Sequence, residues 1–298
     1  MRLLPLVCAA SLHLAAGPPA GPAPQSAPAA PPATTPTAID RAFVRLYNFD
    51  FKGAHRLLDE HAAADPGDPL TYAVRAGAYM FSEFDRLKIL EVDFFLEDDN
   101  LIRSERLAAD PAVKRALLEA VDTARAQAAV RLAKAPDDRN ALFAQCMSAG
   151  VVMDYTGFVE RRQWRGVRLA RDTRRIAGQL LALQPPVYDA YLTTGALEYM
   201  VGSLPFYIRW FVRFDRIEGS KEKAVQDLTL VARHGRYYGP FARMLLAIVG
   251  IRENRLEDSR RELAGLTAEF PENQMFSKEL RRVTARLEAA ARNRKPAR

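Results

Sequence analysis

Residues 54–66, AHRLLDEHAAADP, decide the fold of this chain. They place a small residue, Ala54, twelve positions before Pro66. The same spacing recurs at three more pairs, which are Ala124 and Pro136, Thr173 and Pro185, and Ser259 and Pro271. In a helical hairpin the small residue lets two helices approach closely, and the proline ends the second helix. The recurrence therefore predicts an all-α fold of stacked antiparallel helical hairpins that form a solenoid.

The composition agrees with a folded helical body. Of the 298 residues, 49% are hydrophobic and 27% are charged, and only 16 are glycine. These are the proportions of a globular chain with a sizeable core. Because a solenoid grows by adding units to one continuous core, the length does not require a second domain. We expect one helical domain over residues 38–291.

The N-terminal residues predict export rather than structure. Residues 1–16 join Met1 and Arg2 to an apolar run, which is typical of a signal peptide. Residues 17–37 are rich in Pro and Ala and carry no charge, so they read as a disordered linker. We therefore expect a periplasmic or secreted protein of the bacterial cell envelope. The alternative is a disordered N-terminus on a cytoplasmic protein.

The positive charge is concentrated at the C-terminus. Residues 281–298 hold seven basic residues and one acidic residue, and therefore supply most of the net charge of +7. Residues 292–298 read as a basic disordered tail, which is either a solvated terminus or a contact with anionic lipid. No zinc-finger spacing, helix-turn-helix or RNA-binding aromatic signature accompanies this charge, so the sequence argues against nucleic-acid binding.

Two stretches carry the resemblance to a known family. Phe51, Ala54 and Pro66 follow one another at the spacing of the tetratricopeptide repeat, and a later match consists of Leu256, Ser259 and Pro271. The chain resembles this family over about half its length. The resemblance implies a concave superhelical surface that binds peptides or proteins, and it implies no enzyme activity.

Between the matching ends the proline spacing departs from the 34-residue unit of that family. Inserted turns or longer helices are required between Pro136 and Pro271. Local signals still mark several helix ends: Asp68 can cap a helix that begins at Pro69, and a further helix is expected over 240–252. Gly219-Ser220 is expected to cap the helix that ends at Gly235.

Three units place an acidic residue beside an aromatic one near the end of their first helix. The pairs are Glu83-Phe84, Asp154-Tyr155 and Glu198-Tyr199. On the inner helices of a solenoid these carboxylates can meet cationic groups of a ligand. The alternative is structural, because pairing with Arg86, Arg161 or Arg209 would join neighbouring helices. Tyr79 is a further candidate for the ligand-binding surface.

The densest aromatic and basic segment is 204–216. Read as a helix, it aligns Arg209 and Arg213 on one stripe, with Trp210 as an aromatic anchor. Such a face can hold an acidic peptide or lie on a membrane surface, or it can be a core helix with solvated arginines. A second basic helix, over 161–175, is interpreted as a solvated outer face or a partner surface.

Enzyme chemistry has little support in the residues. His55 and His61 are six positions apart, which does not set them on one helical face as a metal pair. No nucleophile elbow or phosphate-binding glycine loop occurs, so we expect no metal and no cofactor. Cys146 reads as a small core residue.

The sequence therefore predicts a non-enzymatic scaffold that binds a protein or peptide segment on its concave face. The candidate lining comprises Tyr79, Glu83, Asp154, Tyr155, Glu198, Tyr199, Arg209, Trp210 and Arg213. One alternative is a helical cell-wall enzyme that cleaves glycans with carboxylates such as Glu83 or Glu198. Another is a peripheral component in contact with an anionic membrane.

Overall fold

A computed structural model describes residues 35–91, 108–203 and 219–294. The described residues from Pro36 onward belong to one compact unit. The described ranges contain eleven α-helices and no strand. The helices are α1 (Ala38–Tyr47), α2 (Phe51–Ala64), α3 (Pro69–Arg86), α4 (Pro111–Lys134), α5 (Arg139–Asp154), α6 (Gln163–Ala182), α7 (Tyr191–Ser203), α8 (Lys221–His234), α9 (Gly239–Arg252), α10 (Leu256–Glu269) and α11 (Gln274–Arg294).

The helices form five hairpins followed by a terminal helix. The hairpins are α1–α2, α3–α4, α5–α6, α7–α8 and α9–α10, and α11 packs against the last of them. A π-helical turn, Tyr155–Val159, extends α5, and a short 3₁₀ turn, Tyr188–Ala190, precedes α7. The all-α prediction is confirmed, and the order of packing is that of a stacked helical array.

The small residues of the repeating pattern lie where the spacing predicts. Ala54, Ala124, Thr173 and Ser259 are each fully or almost fully buried, and each belongs to the second helix of its hairpin. The structure adds a fifth member, Ala224 in α8, which is also fully buried. Position 236, twelve residues later, is Arg rather than Pro. The spacing between a small residue and a proline therefore does not reveal this hairpin in the sequence.

Different helix lengths, the long connections 87–110 and 204–220, and the missing proline at position 236 together explain the irregular proline spacing. The second helices α2, α8 and α10 are 14 residues long, whereas α4 has 24 residues and α6 has 20. The extra turns lie before the small residue, because its distance from the helix end hardly changes. The twelve-residue spacing is thus a property of the helix end and survives the elongation.

Most turns between hairpins carry their own cap. The side chain of Asp68 accepts a hydrogen bond from the backbone N–H of Leu70 at the start of α3, and Pro69 occupies the first turn, as predicted. Asp138 and Asn273 accept equivalent bonds at the starts of α5 and α11. Each of these caps stands two residues after the proline that follows a second helix, so one short motif ends a helix and begins the next.

The turns within hairpins are of two kinds. Residues 48–50, 160–162 and 253–255 form three-residue turns, and the middle residue of each has a positive φ. The connections 87–110 and 204–220 are longer. Gly219 has a φ of 67° and Ser220 caps α8, so the cap expected there is confirmed. A left-handed residue suits glycine, which has no Cβ to clash.

Helix α1 contacts two turns that follow hairpins, one before α9 and one before α11. The Tyr47 hydroxyl donates to the carbonyl oxygen of Tyr237 at 2.8 Å, and the Asn273 amide donates to the carbonyl oxygen of Tyr47 at 2.8 Å. Arg236 and Asp40 form an ion pair at 3.1 Å. The side of the array that α1 faces is therefore closed by contacts between sequence-distant units.

Candidate functional site

An aromatic cluster fills the region between the first and last units. The ring of Tyr237 lies 4.8 Å from that of Phe43 and 5.5 Å from that of Phe143, measured between centroids, and is stacked on both. Tyr47 lies 5.2 Å from Phe270, and Phe81 lies 5.7 Å from Phe241. We call these residues the central cluster. It turns much of the expected concave surface into core.

A small apolar cavity of about 40 Å³ remains beside the central cluster. Its walls come from α1, α3, α9 and α11 and from the turns next to them. The lining residues are Phe43, Leu46, Tyr47, Phe49, Phe81, Leu90, Tyr238, Pro240, Phe241, Met244, Met275 and Phe276. Phe49, Phe241 and Met275 are only partly buried, so the cavity reaches the surface. An apolar side chain is the kind of group that it fits.

Glu83 holds the start of α4. It is 1% exposed, and one carboxylate oxygen accepts from the backbone N–H of Asp110 at 2.8 Å. The guanidinium of Arg86 donates to both carboxylate oxygens at 2.7 and 2.8 Å. Arg86 also donates to the carbonyl oxygen of Ala108. The pairing with Arg86 is the structural alternative considered above, and the carboxylate also fixes the end of the connection 87–110.

Glu198 has the same function at the start of α8. It is buried, and its Oε2 accepts from the backbone N–H groups of Gly219 at 2.8 Å and Ser220 at 3.2 Å. Glu83 and Glu198 therefore occur in the two hairpins that have long connections. In both cases a carboxylate from the first helix receives backbone donors where the second helix begins.

Asp189 supplies a third cap of this type, which the sequence did not reveal. It is 3% exposed, and its carboxylate accepts from the backbone N–H groups of Arg236, Tyr237 and Tyr238 at 2.7–2.8 Å. These residues form the turn before α9, where no side chain of the N-cap residue accepts a hydrogen bond, although Pro240 occupies the first turn of the helix. We call Glu83, Glu198 and Asp189 remote caps, because each reaches a helix start from another element.

Asp154 differs from the remote caps. It is half-buried at the end of α5 and forms no hydrogen bond or ion pair within the described ranges. Burial raises the pKa of Asp154 to about 7. The Asp154 charge also contributes to the raised pKa of Tyr238, after burial, Cys146, Tyr47 and Asp189. Tyr238 lines the cavity, so the Asp154 charge acts on one residue of the cavity wall.

The predicted tyrosines occupy three different environments. The Tyr155 hydroxyl is buried without a hydrogen-bond partner, and burial, followed by the Glu83 charge, raises its pKa to about 12. Tyr79 is partly buried, with its ring 4.4 Å from that of His55. The ammonium of Lys221 lies 5.8 Å from the ring centroid of Tyr199. The burial and the contacts of these three tyrosines thus differ from one another.

Some predictions lie outside the described residues. They concern the signal peptide, most of the linker, and Arg209, Trp210 and Arg213 in the basic aromatic segment. The expected tail boundary at residue 292 falls within α11, which continues to Arg294.

Cys146 is buried, and burial raises the pKa of its thiol to about 12. This environment suits the core position predicted for it. Over the three described ranges, no group of His, Cys, Asp and Glu side chains is arranged to hold a metal ion. Nor does any helix in those ranges have the length and apolar content needed to cross a membrane.

Comparison with known proteins finds no match, whether among family models, curated proteins or solved structures. The site must therefore be interpreted from its own geometry.

Proposed function

We propose that this chain is a non-enzymatic binding scaffold of the bacterial cell envelope, related in architecture to the tetratricopeptide repeat. It holds a protein or peptide segment beside the central cluster. The five hairpins, the buried small residues and the proline turns support the architectural part of the proposal. The envelope location rests on the export signal predicted over residues 1–16.

The observation that carries the binding proposal is Asp154. A desolvated carboxylate without a partner is costly, because nothing offsets the loss of its hydration. A cationic group of a ligand would offset this cost, and an apolar neighbour on the same ligand would enter the cavity near Tyr238. The preferred partner is thus a segment that carries a basic residue close to an apolar one.

One described carboxyl group is a specific candidate for the catalytic acid of the enzymatic alternative. A raised pKa is what a general acid requires, and Asp154 is the described carboxyl whose pKa burial raises to about 7. Glu83 and Glu198 are engaged by backbone donors, so their substitution would disturb folding as well as any activity. Hydrolysis of purified cell wall by the chain, abolished in Asp154→Asn, would favour the enzyme over the scaffold.

The proposal is tested by selecting peptides from a random displayed library on the full chain at pH 8, where Asp154 is ionised. We expect the enriched peptides to pair a basic residue with an apolar one. Their affinity should fall about tenfold in Asp154→Asn, which corresponds to one charge-assisted contact. The matched control is Asp172→Asn, which removes an exposed carboxylate of α6 and should leave the affinity within about twofold.

A second variant examines the cavity. Met275→Trp places a larger side chain at the partly buried rim and should weaken the same peptides without lowering the melting temperature by more than a few degrees. An absence of enriched peptides, or equal affinity for the chain and both variants, would contradict the proposal.

A further inference from the structure

The outer face of α6 carries arginines that are not neutralised. Residues 160–182 contain seven arginines, no lysine and two acidic residues, which gives a net charge of +5. Arg165, Arg168 and Arg175 are exposed, and their side chains form no ion pair or hydrogen bond within the described ranges. They lie on one stripe, and the helical rise separates the first from the last by about 15 Å. We call these three residues the arginine stripe.

A second outer helix shows that this arrangement is not a necessary property of the repeat. On α10, Arg260 pairs with Glu257 at 3.1 Å, and Arg261 pairs with Asp258 at 2.6 Å. Each arginine has an acid three residues earlier, so the surface neutralises itself. The positions three residues before Arg165 and Arg168 are Arg162 and Arg165, whereas Asp172 stands three residues before Arg175 but forms no ion pair with it among the described residues. Like charges at this spacing repel one another, which costs stability unless an external anion compensates.

We propose that the arginine stripe is a docking surface for the phosphate groups of an anionic lipid bilayer. Guanidinium groups bind phosphate oxygens with two parallel hydrogen bonds, and arginine is the only basic residue type in this segment. The stripe lies on the outer side of a helix rather than in a cleft, which suits a flat partner. The described exposed residues of α6 include no large apolar side chain, and Gly178 and Ala182 are the exceptions to their polar character, so binding is electrostatic and involves no insertion.

A bilayer fits the charge distribution better than nucleic acid does. The basic residues are concentrated in residues 160–182 and 281–298, and the remainder of the chain has a net charge of −4. No helix-turn-helix or zinc-finger spacing is present to enter a groove of a nucleic acid. The surface is distinct from the central cluster, so this inference does not depend on the proposed function.

The test is co-sedimentation of the full chain with vesicles in ~0.1 M salt. The vesicles contain phosphatidylglycerol and phosphatidylcholine in a 3:7 ratio. The triple variant Arg165→Glu, Arg168→Glu, Arg175→Glu should bind at least about tenfold more weakly than the unaltered chain. The control variant Arg56→Glu, Arg115→Glu, Arg125→Glu makes the same charge change at exposed positions of α2 and α4. It should remain within about threefold, and both variants should melt near the unaltered chain.

Three results would overturn the inference. Equal losses in the two variants would show that net charge alone governs binding. Unchanged binding in the stripe variant would assign it to residues 281–298 or to another surface. Tighter binding to a 20-base-pair DNA duplex than to the vesicles would identify nucleic acid as the partner. A milder set with glutamine at the three stripe positions keeps the test valid if charge reversal unfolds the chain.

Discussion

The hairpins α9–α10 and α7–α8 start their second helices in different ways. In α9–α10 the turn has three residues, and Asn254 takes the left-handed conformation that reverses the chain. In α7–α8 the connection 204–220 separates the helices, and Glu198 receives the two backbone N–H groups at its end. A turn that defines its own geometry needs no support, whereas the end of a long connection must be fixed from outside. The remote caps fix the starts of α4 and α8 at the ends of the long connections, and the turn before α9.

The largest effect is expected at Asp189. Asp189→Ala leaves three partly buried backbone N–H groups without their acceptor and should lower the free energy of unfolding by about 4 kcal/mol. Urea unfolding measures this loss. The comparison is with the local cap Asp138, which accepts one bond at the start of α5, and Asp138→Ala should cost about 1 kcal/mol. Similar losses in the two variants would remove the distinction between remote and local caps.

Glu198 should give the next largest loss. Glu198→Ala removes the acceptor of two backbone bonds and should cost about 3 kcal/mol. Glu198→Gln keeps one carbonyl oxygen in place and should cost about half as much. Amide hydrogen exchange offers an independent measurement, because the protection of Gly219 and Ser220 should decrease more than that of α10. Unchanged exchange at these two amides would show that Glu198 does not fix the connection.

Asp154 should change stability in the opposite direction. Burial raises its pKa in the folded state from 3.8 to about 7. Between these values the folded chain retains a proton that the unfolded chain releases, so folding stability declines as the pH rises through this window. Asp154→Asn removes the decline. It should stabilise the protein by about 1–2 kcal/mol at pH 8, less than the full shift because the residue is only half-buried, and by almost nothing at pH 3.5. A stability gain that does not vary with pH would refute the assignment.

The smallest effect concerns the closure of the array. Burial raises the pKa of Asp40, but hydrogen bonds from Arg236 and Thr37 outweigh it, so the pKa is lowered overall. The resulting stability is present above the unfolded pKa and is lost as the pH falls through the folded one. Arg236→Ala should cost under about 1 kcal/mol at pH 7, and the cost should shrink in ~1 M salt. A larger, salt-independent loss would indicate that α1 is held by this pair rather than by Tyr47 and the central cluster.

The sequence predicts the structure correctly where the pattern of residues depends on a single helix end. Ala54 and Pro66 predict their hairpin because one lies in α2 and the other directly after its end, so that both report on a single helix. Asp68 and Ser220 are equally local, and their capping was predicted correctly. The fourth hairpin has Arg236 at the proline position, and the Asp189 carboxylate accepts the backbone N–H of this residue. The twelve-residue spacing is therefore absent from that hairpin, although Pro240 marks the start of α9 as predicted.

The candidate site was harder to predict, because it depends on which acids find partners. Glu83, Asp154 and Glu198 look alike in sequence, each followed by an aromatic residue. The difference between them arises from connections that return to Glu83 and Glu198 and do not return to Asp154. The central cluster is likewise a product of distant contacts, since Phe43 meets Tyr237 across almost the whole helical domain. The spacing of residues within one helix gives no information about such contacts.

The most direct test of this account compares Glu198→Ala and Asp154→Asn by thermal unfolding at pH 8. The two acids occupy similar sequence contexts, and each substitution removes one carboxylate. If Glu198 is a remote cap and Asp154 an uncompensated acid, the melting temperature falls in the first variant and rises in the second. A decrease in both would mean that Asp154 also stabilises the fold, and the claim that it is reserved for a cationic ligand would then be wrong.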